Sequence, residues 1–387
     1  MNKFLRFFHN PRNLFILGFA IAFALTFIDV MRGRHFNFMI FADSTRDFWA
    51  GVSPYTDGWV AEHKRFFLYS PVFSVLFSPF AFLPKWLGPF AWNLFNYVMF
   101  YFAVFTLPKR YTNEQKCRMF MFTLPILAQS LLSFQYNVVV AYIFLFAYSL
   151  LERDKGFWAV LLIMVSGTTK IYGIFQLGLL LCYPHFWRNM GYAVVAGLAL
   201  FALPLLKLAP SEFMPYYGEW FYSLSSHQSK MTFDSIYYAK PLLNHTLPYF
   251  RIIQMSTIAV LAALLVANRK KWGSPQFRAQ ALGILMGWVI LFSDSAEKHT
   301  YIIALAGYML WYFNHAPRRV DKWLLWANFF LLCIVPIDIL FPVRWMKFIC
   351  YTLWLNVWVF LFTWLRMAWV TFFRPCEPST QMERIEV

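Results

Sequence analysis

The sequence predicts an all-α polytopic membrane protein, a bundle of about twelve transmembrane helices with interfacial helices in its outer loops. Three observations predict it. Apolar runs of about 17–25 residues, the length of a bilayer crossing, recur along the chain. Hydrophobic residues fill 60% of the 387 positions and charged ones only 13%. The aromatic share of 22% exceeds what a soluble core needs. The runs do not alternate between polar and apolar, which excludes a transmembrane barrel.

Lys3, Arg6 and Arg12 precede the first apolar run, 13–31, and no small-residue cleavage site follows, so this run reads as an uncleaved span. The outer loop 32–68 comes next. If its Asn37–Gly51 stretch is helical, Asp43 and Asp47 share a face, and Phe41, Phe48 and Trp49 suit the membrane–water boundary. Gly51 and Pro54 then end the helix. Further candidate spans cover 69–84, 88–107, 119–134, 137–151, 156–169, 171–186 and 190–208. A second long outer loop, 209–251, leads to spans at 252–268, 279–294, 299–313, 322–340 and 345–370. One integral membrane domain, 1–373, and a short cytoplasmic tail, 374–387, account for the chain.

Charged punctuation sets the sidedness. Arg153, Lys155, Arg188, Arg269, Lys270, Lys271, Arg318 and Arg319 mark cytoplasmic loops, leaving 32–68, 209–251, 294–299 and 337–344 facing outward. An odd number of full crossings cannot join two cytoplasmic termini. One candidate between 69 and 137 is therefore half-inserted or non-spanning, as protein-lined backbone permits.

The formal charge of +16 sits in short loops between spans, and no soluble domain carries it, so nucleic acid is not an expected partner. Cys117, Cys182, Cys333, Cys350 and Cys376 are scattered without metal-ligand or disulfide spacing and read as small apolar side chains. No Gly-rich phosphate loop, metal-binding acidic pair or nucleophile elbow is present, and neither metal nor cofactor is expected.

The polar residues that remain are candidates for chemistry. Asp43 or Asp47 can serve as a general base toward a hydroxyl, or merely cap a helix and pair with Arg46 or Lys64. Asp43 is the better candidate on sequence, since Arg46 adjoins Asp47. Lys170 lies between two apolar runs with no acid within a helical turn, so it either meets an anion such as a phosphate or snorkels to the headgroups. Asp294, Glu297, Lys298 and His299 crowd one span boundary, where His299 suits phosphate contact or proton transfer. Asp294 and Lys298 are also spaced for a simple helix-surface pair. His227, Gln228 and Lys230 offer donors to sugar hydroxyls or phosphate. Gln135 and Asn137 fit either a site or a hydrogen bond between helices.

The order of these pieces resembles the GT-C superfamily, and more narrowly the bacterial polyprenol-phosphate-mannose-dependent α-mannosyltransferases that include phosphatidylinositol-mannoside enzymes. The matching residues are Asn37-Phe-Met-Ile-Phe, Gly51-Val-Ser-Pro54-Tyr55, Tyr69-Ser-Pro71, Gln135-Tyr-Asn137, Lys170-Ile-Tyr172, His227-Gln228-Ser229 and the boundary Ser293 to Tyr301. The resemblance implies a GT-C fold and an inverting transfer from a polyprenyl-phosphate sugar, without nucleotide or required metal. It also implies substrate contacts at Asn37, Tyr55, Gln135, Asn137, Lys170, His227, Gln228, Lys230 and His299. The family's loop aspartate falls on Asn37, whose amide is too weak a base. The base is then Asp43, Asp47 or Glu297, or this member is not a competent transferase.

The expected function is a hexosyl transfer, of mannose by the resemblance, to a lipid-linked or cell-envelope glycan acceptor. It is placed on the extracytoplasmic face of the cytoplasmic membrane, among membrane lipids. The alternatives are a transporter or flippase of a lipid-linked glycan and a non-catalytic envelope-assembly protein. A transporter would carry polar residues near the bilayer midplane on broken, repeated helices, and no repeat is evident.

Overall fold

Local signals start and stop the helices. Asn10 accepts a hydrogen bond from the Arg12 N–H, and Pro11 occupies the first helical position, where a missing N–H does no harm. They open α1, Pro11–Met31. Gly51, in the left-handed region at φ +87°, ends α2, Phe36–Ala50, where a Cβ would be strained. The short α3, Asp57–His63, and α4, Pro71–Ala81, follow. After α5, Leu87–Phe105, a reciprocal Thr112–Gln115 capping box opens α6, Asn113–Leu132. Then come α7, Asn137–Leu151, and α8, Gly156–Thr169, a 3-10 segment Ile171–Cys182, α9, Phe186–Ala202, α10, Pro210–Met231, and α11, Phe250–Ala267. Ser274 and Pro275 start α12, Pro275–Leu291, and α13, Tyr301–Tyr312, runs back along it. The chain closes with α14, Arg319–Asn328, α15, Val343–Lys347, and α16, Leu355–Phe373.

The computed structural model describes residues 7–231, 250–293, 296–337 and 340–376, but not the side chains of 227–231 or 250. All regular structure among the described residues is helical. Three helical stretches, Pro11–Met31, Phe186–Leu206 and Leu355–Phe373, are long and apolar enough to cross a bilayer by themselves, against about twelve expected from hydropathy. Breakage is one reason, and polar residues within unbroken helices such as α5 and α6 are another. Helix α4 rises only about 16 Å, half the hydrocarbon core. The run 322–340 is α14 continued by a π-helical turn, Phe329–Ile334, and 345–370 is interrupted at Trp354, which has φ +55°. The apolar faces make this a membrane protein. Val194, Val195 and Leu198 of α9 are each more than half exposed, a contiguous patch that water would not tolerate.

Inside, helices are joined by close approach and by polar side chains. A Cβ on Gly283 of α12 would lie 2.5 Å from the Gly307 carbonyl of α13, so the two backbones meet at a small-residue contact. Gly18 admits the Tyr97 ring, whose hydroxyl donates to the Phe15 carbonyl at 2.8 Å, clamping α1 to α5. Asn93 donates to the Leu131 carbonyl at 2.9 Å and to Thr26 at 3.1 Å. These bonds satisfy buried polar groups that lipid could not.

Candidate functional site

The turn between α6 and α7 organises the site. Phe134 adopts φ +52°, a left-handed conformation that costs a side-chain-bearing residue about 1–3 kcal/mol, and its buried ring holds it there. This kink presents Gln135 and Asn137 together. Asn37 of α2 donates to the Ser133 carbonyl at 2.7 Å, and Ser130 donates to the His299 carbonyl at 2.7 Å. The end of α6 thus ties α2 to the segment before α13.

A directed chain of hydrogen bonds crosses the site. Lys170 Nζ donates to Asn137 Oδ1 at 2.8 Å. Asn137 Nδ2 donates to Gln135 Oε1 at 2.5 Å, and Gln135 Nε2 donates to Glu297 Oε2 at 3.0 Å. The same carboxylate oxygen is in contact with His299 Nε2. An ammonium and a carboxylate are therefore linked through two amides whose orientation the chain fixes. Lys170 is extended between α8 and the 3-10 segment, outside both. The Tyr172 and Tyr69 rings flank its ammonium, with centroids 4.7 and 5.9 Å away. Ser70 donates to the Thr168 carbonyl at 2.5 Å, so the start of α4 is locked to the Lys170 turn.

Charge at the two ends is tuned by these surroundings. Burial pushes the Lys170 ammonium down to about 8, with the Glu297 carboxylate opposing. Burial would push the Glu297 carboxyl up, but the His299 ring, the Gln135 amide and the Lys170 ammonium hold it down at about 2. The site can thus present a cation to an anionic group, with two amides joining that cation to a carboxylate–imidazole pair.

The aspartates of α2 are engaged elsewhere. Asp43 accepts from Arg65 at 3.2 Å and Arg46 at 3.5 Å. Asp47 accepts from the Trp59 indole at 2.7 Å, with the His63 Nε2 3.6 Å away. Arg46 therefore serves Asp43, the reverse of the arrangement expected from adjacency in sequence. Along α2 the two carboxylates rise about 9 and 15 Å beyond Asn37. Tyr55 is buried and donates to the Tyr69 carbonyl at 2.8 Å, which makes it a strut beneath the Lys170 turn rather than an open contact. Helix α10 packs over the segment after α2, with Ser53 donating to Glu219 at 2.5 Å and Trp220 to the Leu68 carbonyl at 3.2 Å.

Gln135, Asn137, Lys170, Glu297 and His299 are thus brought together, with Asn37 bonded to the same turn. The side chains of His227, Gln228 and Lys230 lie outside the described residues, as does Asp294. Tyr69, Tyr172 and Ser293 were not singled out as site residues. Tyr172 and Ser293 hydroxyls meet at 2.5 Å and tie the Lys170 turn to the end of α12. The motif matches Tyr69-Ser-Pro71 and Lys170-Ile-Tyr172 were the available signal.

A family model described as Glycosyltransferase family 87 matches residues 67–293, more than half of the chain. The match contains Gln135, Asn137 and Lys170 and ends just short of Glu297. No curated protein matches the chain.

Proposed function

The chain belongs to glycosyltransferase family 87 and is a membrane glycosyltransferase; from that premise we propose that it moves a hexose, mannose by the resemblance, from a polyprenyl-phosphate donor to a lipid-linked or cell-envelope glycan acceptor. The reaction is placed at the extracytoplasmic face of the cytoplasmic membrane. In the proposed step the acceptor oxygen forms a bond to the sugar's anomeric carbon as the bond from that carbon to the phosphate oxygen breaks. Polyprenyl phosphate leaves with the electron pair. Lys170 holds the phosphate and offsets its charge in a partly desolvated setting. The Glu297–His299 pair takes the acceptor's proton. Gln135 and Asn137 hold these two ends at a fixed separation.

The observation that carries this reading is the hydrogen-bonded chain from Lys170 to Glu297. It supplies a phosphate partner and a proton acceptor from segments far apart in sequence. Asn37 is a positioning residue, which leaves the family's missing aspartate without a required role. The test is to incubate purified protein with a panel of polyprenyl-phosphate sugars and envelope-lipid acceptors and to score polyprenyl phosphate release. Release with one hexose, dependent on acceptor, is expected. No release from any member, together with movement of a lipid-linked glycan across vesicles, would replace this reading with the flippase.

A further inference from the structure

Because α12 and α13 run back to back, their far ends lie about 25 Å from Glu297, in the other half of a bilayer. There a cavity of about 460 Å³ is lined by Gln276, Gln280, His315, Arg318, Arg366 and Arg374. Loop charge bias alone puts arginines at this end of the bundle. It does not make them converge on one concave volume.

Among the described residues the cavity's charge is unbalanced. Asp321, fully buried, accepts both arms of the Arg366 guanidinium at 2.9 and 3.2 Å, and the Arg318 backbone N–H at 2.8 Å, with His315 Nε2 3.4 Å away. That acid is used up in fixing the cavity wall. Among the described residues Arg318 and Arg374 have no ion pair. The Arg374 backbone is nevertheless held in place, because Lys271 donates to its carbonyl at 2.8 Å and to those of Phe372 and Thr371 at 2.9 and 3.2 Å. Two guanidinium groups on a fixed frame, beside amide side chains, match a phosphate oxygen set.

The flanking surface chooses the source of the phosphate. Helices α14 and α16 carry the cavity's Asp321–Arg366 bridge, and their outer faces expose Trp323, Trp326, Leu365 and Trp369, each more than half accessible. Arg366 adjoins Leu365, so charged lining and lipid-facing surface lie one residue apart. A soluble anion would use only the cavity, whereas a phospholipid would use both.

We propose that this cavity binds the phosphodiester headgroup of an anionic phospholipid in the leaflet opposite the Lys170–Glu297 site, with its acyl chains along α14 and α16. Basic pockets between helices at the cytoplasmic side are where such headgroups bind. The proposal does not depend on the transferase reading.

The test uses the full-length protein in neutral detergent, titrated with phosphatidylglycerol, with phosphatidylcholine of the same chains, and with inorganic phosphate. Bound lipid is counted by native mass spectrometry and thermal unfolding is followed in parallel. Phosphatidylglycerol is expected to stay bound and raise Tm, while the other two do neither. The Arg318→Gln/Arg374→Gln double variant is expected to weaken phosphatidylglycerol binding at least about tenfold. Arg269→Gln/Lys270→Gln, the same charge change outside the cavity, is expected to leave it unchanged. Undiminished binding in the first double variant, or equal loss in the second, would overturn the proposal. An equal effect of inorganic phosphate would overturn the lipid as occupant.

Discussion

Replacing Lys170 with methionine tests the phosphate end of the site. Methionine keeps the length and apolar stem but removes the ammonium that donates to Asn137. Glu297 keeps His299 and Gln135, so the carboxylate is not stranded. A desolvated charge-assisted contact is worth about 1.5–3 kcal/mol, so donor affinity should fall about 10- to 150-fold. Titration gives a second handle. With the Lys170 pKa lowered to about 8, the wild-type enzyme should lose donor kcat/KM as pH rises through that value. The loss should approach tenfold per pH unit, because only the protonated form grips phosphate. The descending limb belongs in kcat/KM, which reports the free enzyme. Lys170→Arg, which stays charged, should remove that limb. The assay is initial-rate kinetics with a polyprenyl-phosphate sugar between pH 6.5 and about 9.5, beside direct donor binding. Unchanged donor affinity in Lys170→Met, or the same descending limb in Lys170→Arg, would refute the reasoning and leave Lys170 a structural residue.

Asn37→Asp restores the aspartate of the resembled family but removes the N–H donor to the Ser133 carbonyl. Thermal unfolding should show a loss of about 1–3 kcal/mol, and turnover should not rise. Gly283→Ala puts a methyl against the Gly307 carbonyl and should destabilise the α12–α13 pair by about 1–3 kcal/mol, read by the same unfolding assay. Reporters fused after Gly51 and after Lys271 should read on opposite faces of the membrane; the same face for both would break the assigned sidedness.

Much of the helical framework was legible. The first span was expected over 13–31 and forms at Pro11–Met31, and Gly51 ends α2 as its missing Cβ allows. Hydropathy could not see breaks inside apolar stretches, because a window averages across Trp354 and across the end of α14. The residues of the Lys170–Glu297 chain were each legible as unusual polar groups in apolar surroundings. Their convergence was not, since Gln135 and Glu297 are 162 positions apart and meet only through tertiary packing. The misreading of Arg46 has a local cause. Adjacent residues on a helix point in different directions, whereas residues three apart are neighbours, so Arg46 turns to Asp43. Arg65, which completes that cluster, comes from beyond the helix, and nothing in the local spacing announces it.

The most direct test sets two carboxylates against each other. Glu297→Gln keeps the shape and the amide chain but removes the charge beside His299, and Asp43→Asn does the same between Arg46 and Arg65. Turnover is measured with saturating polyprenyl-phosphate sugar and acceptor, and folding is checked by size-exclusion profile and Tm. Glu297→Gln is expected to lose about 10²–10⁴-fold in kcat, the usual contribution of a positioned proton acceptor, while Asp43→Asn stays within a few-fold of wild type. Full turnover in a folded Glu297→Gln variant, with loss in Asp43→Asn, would contradict the assignment of Glu297 and return the chemistry to α2.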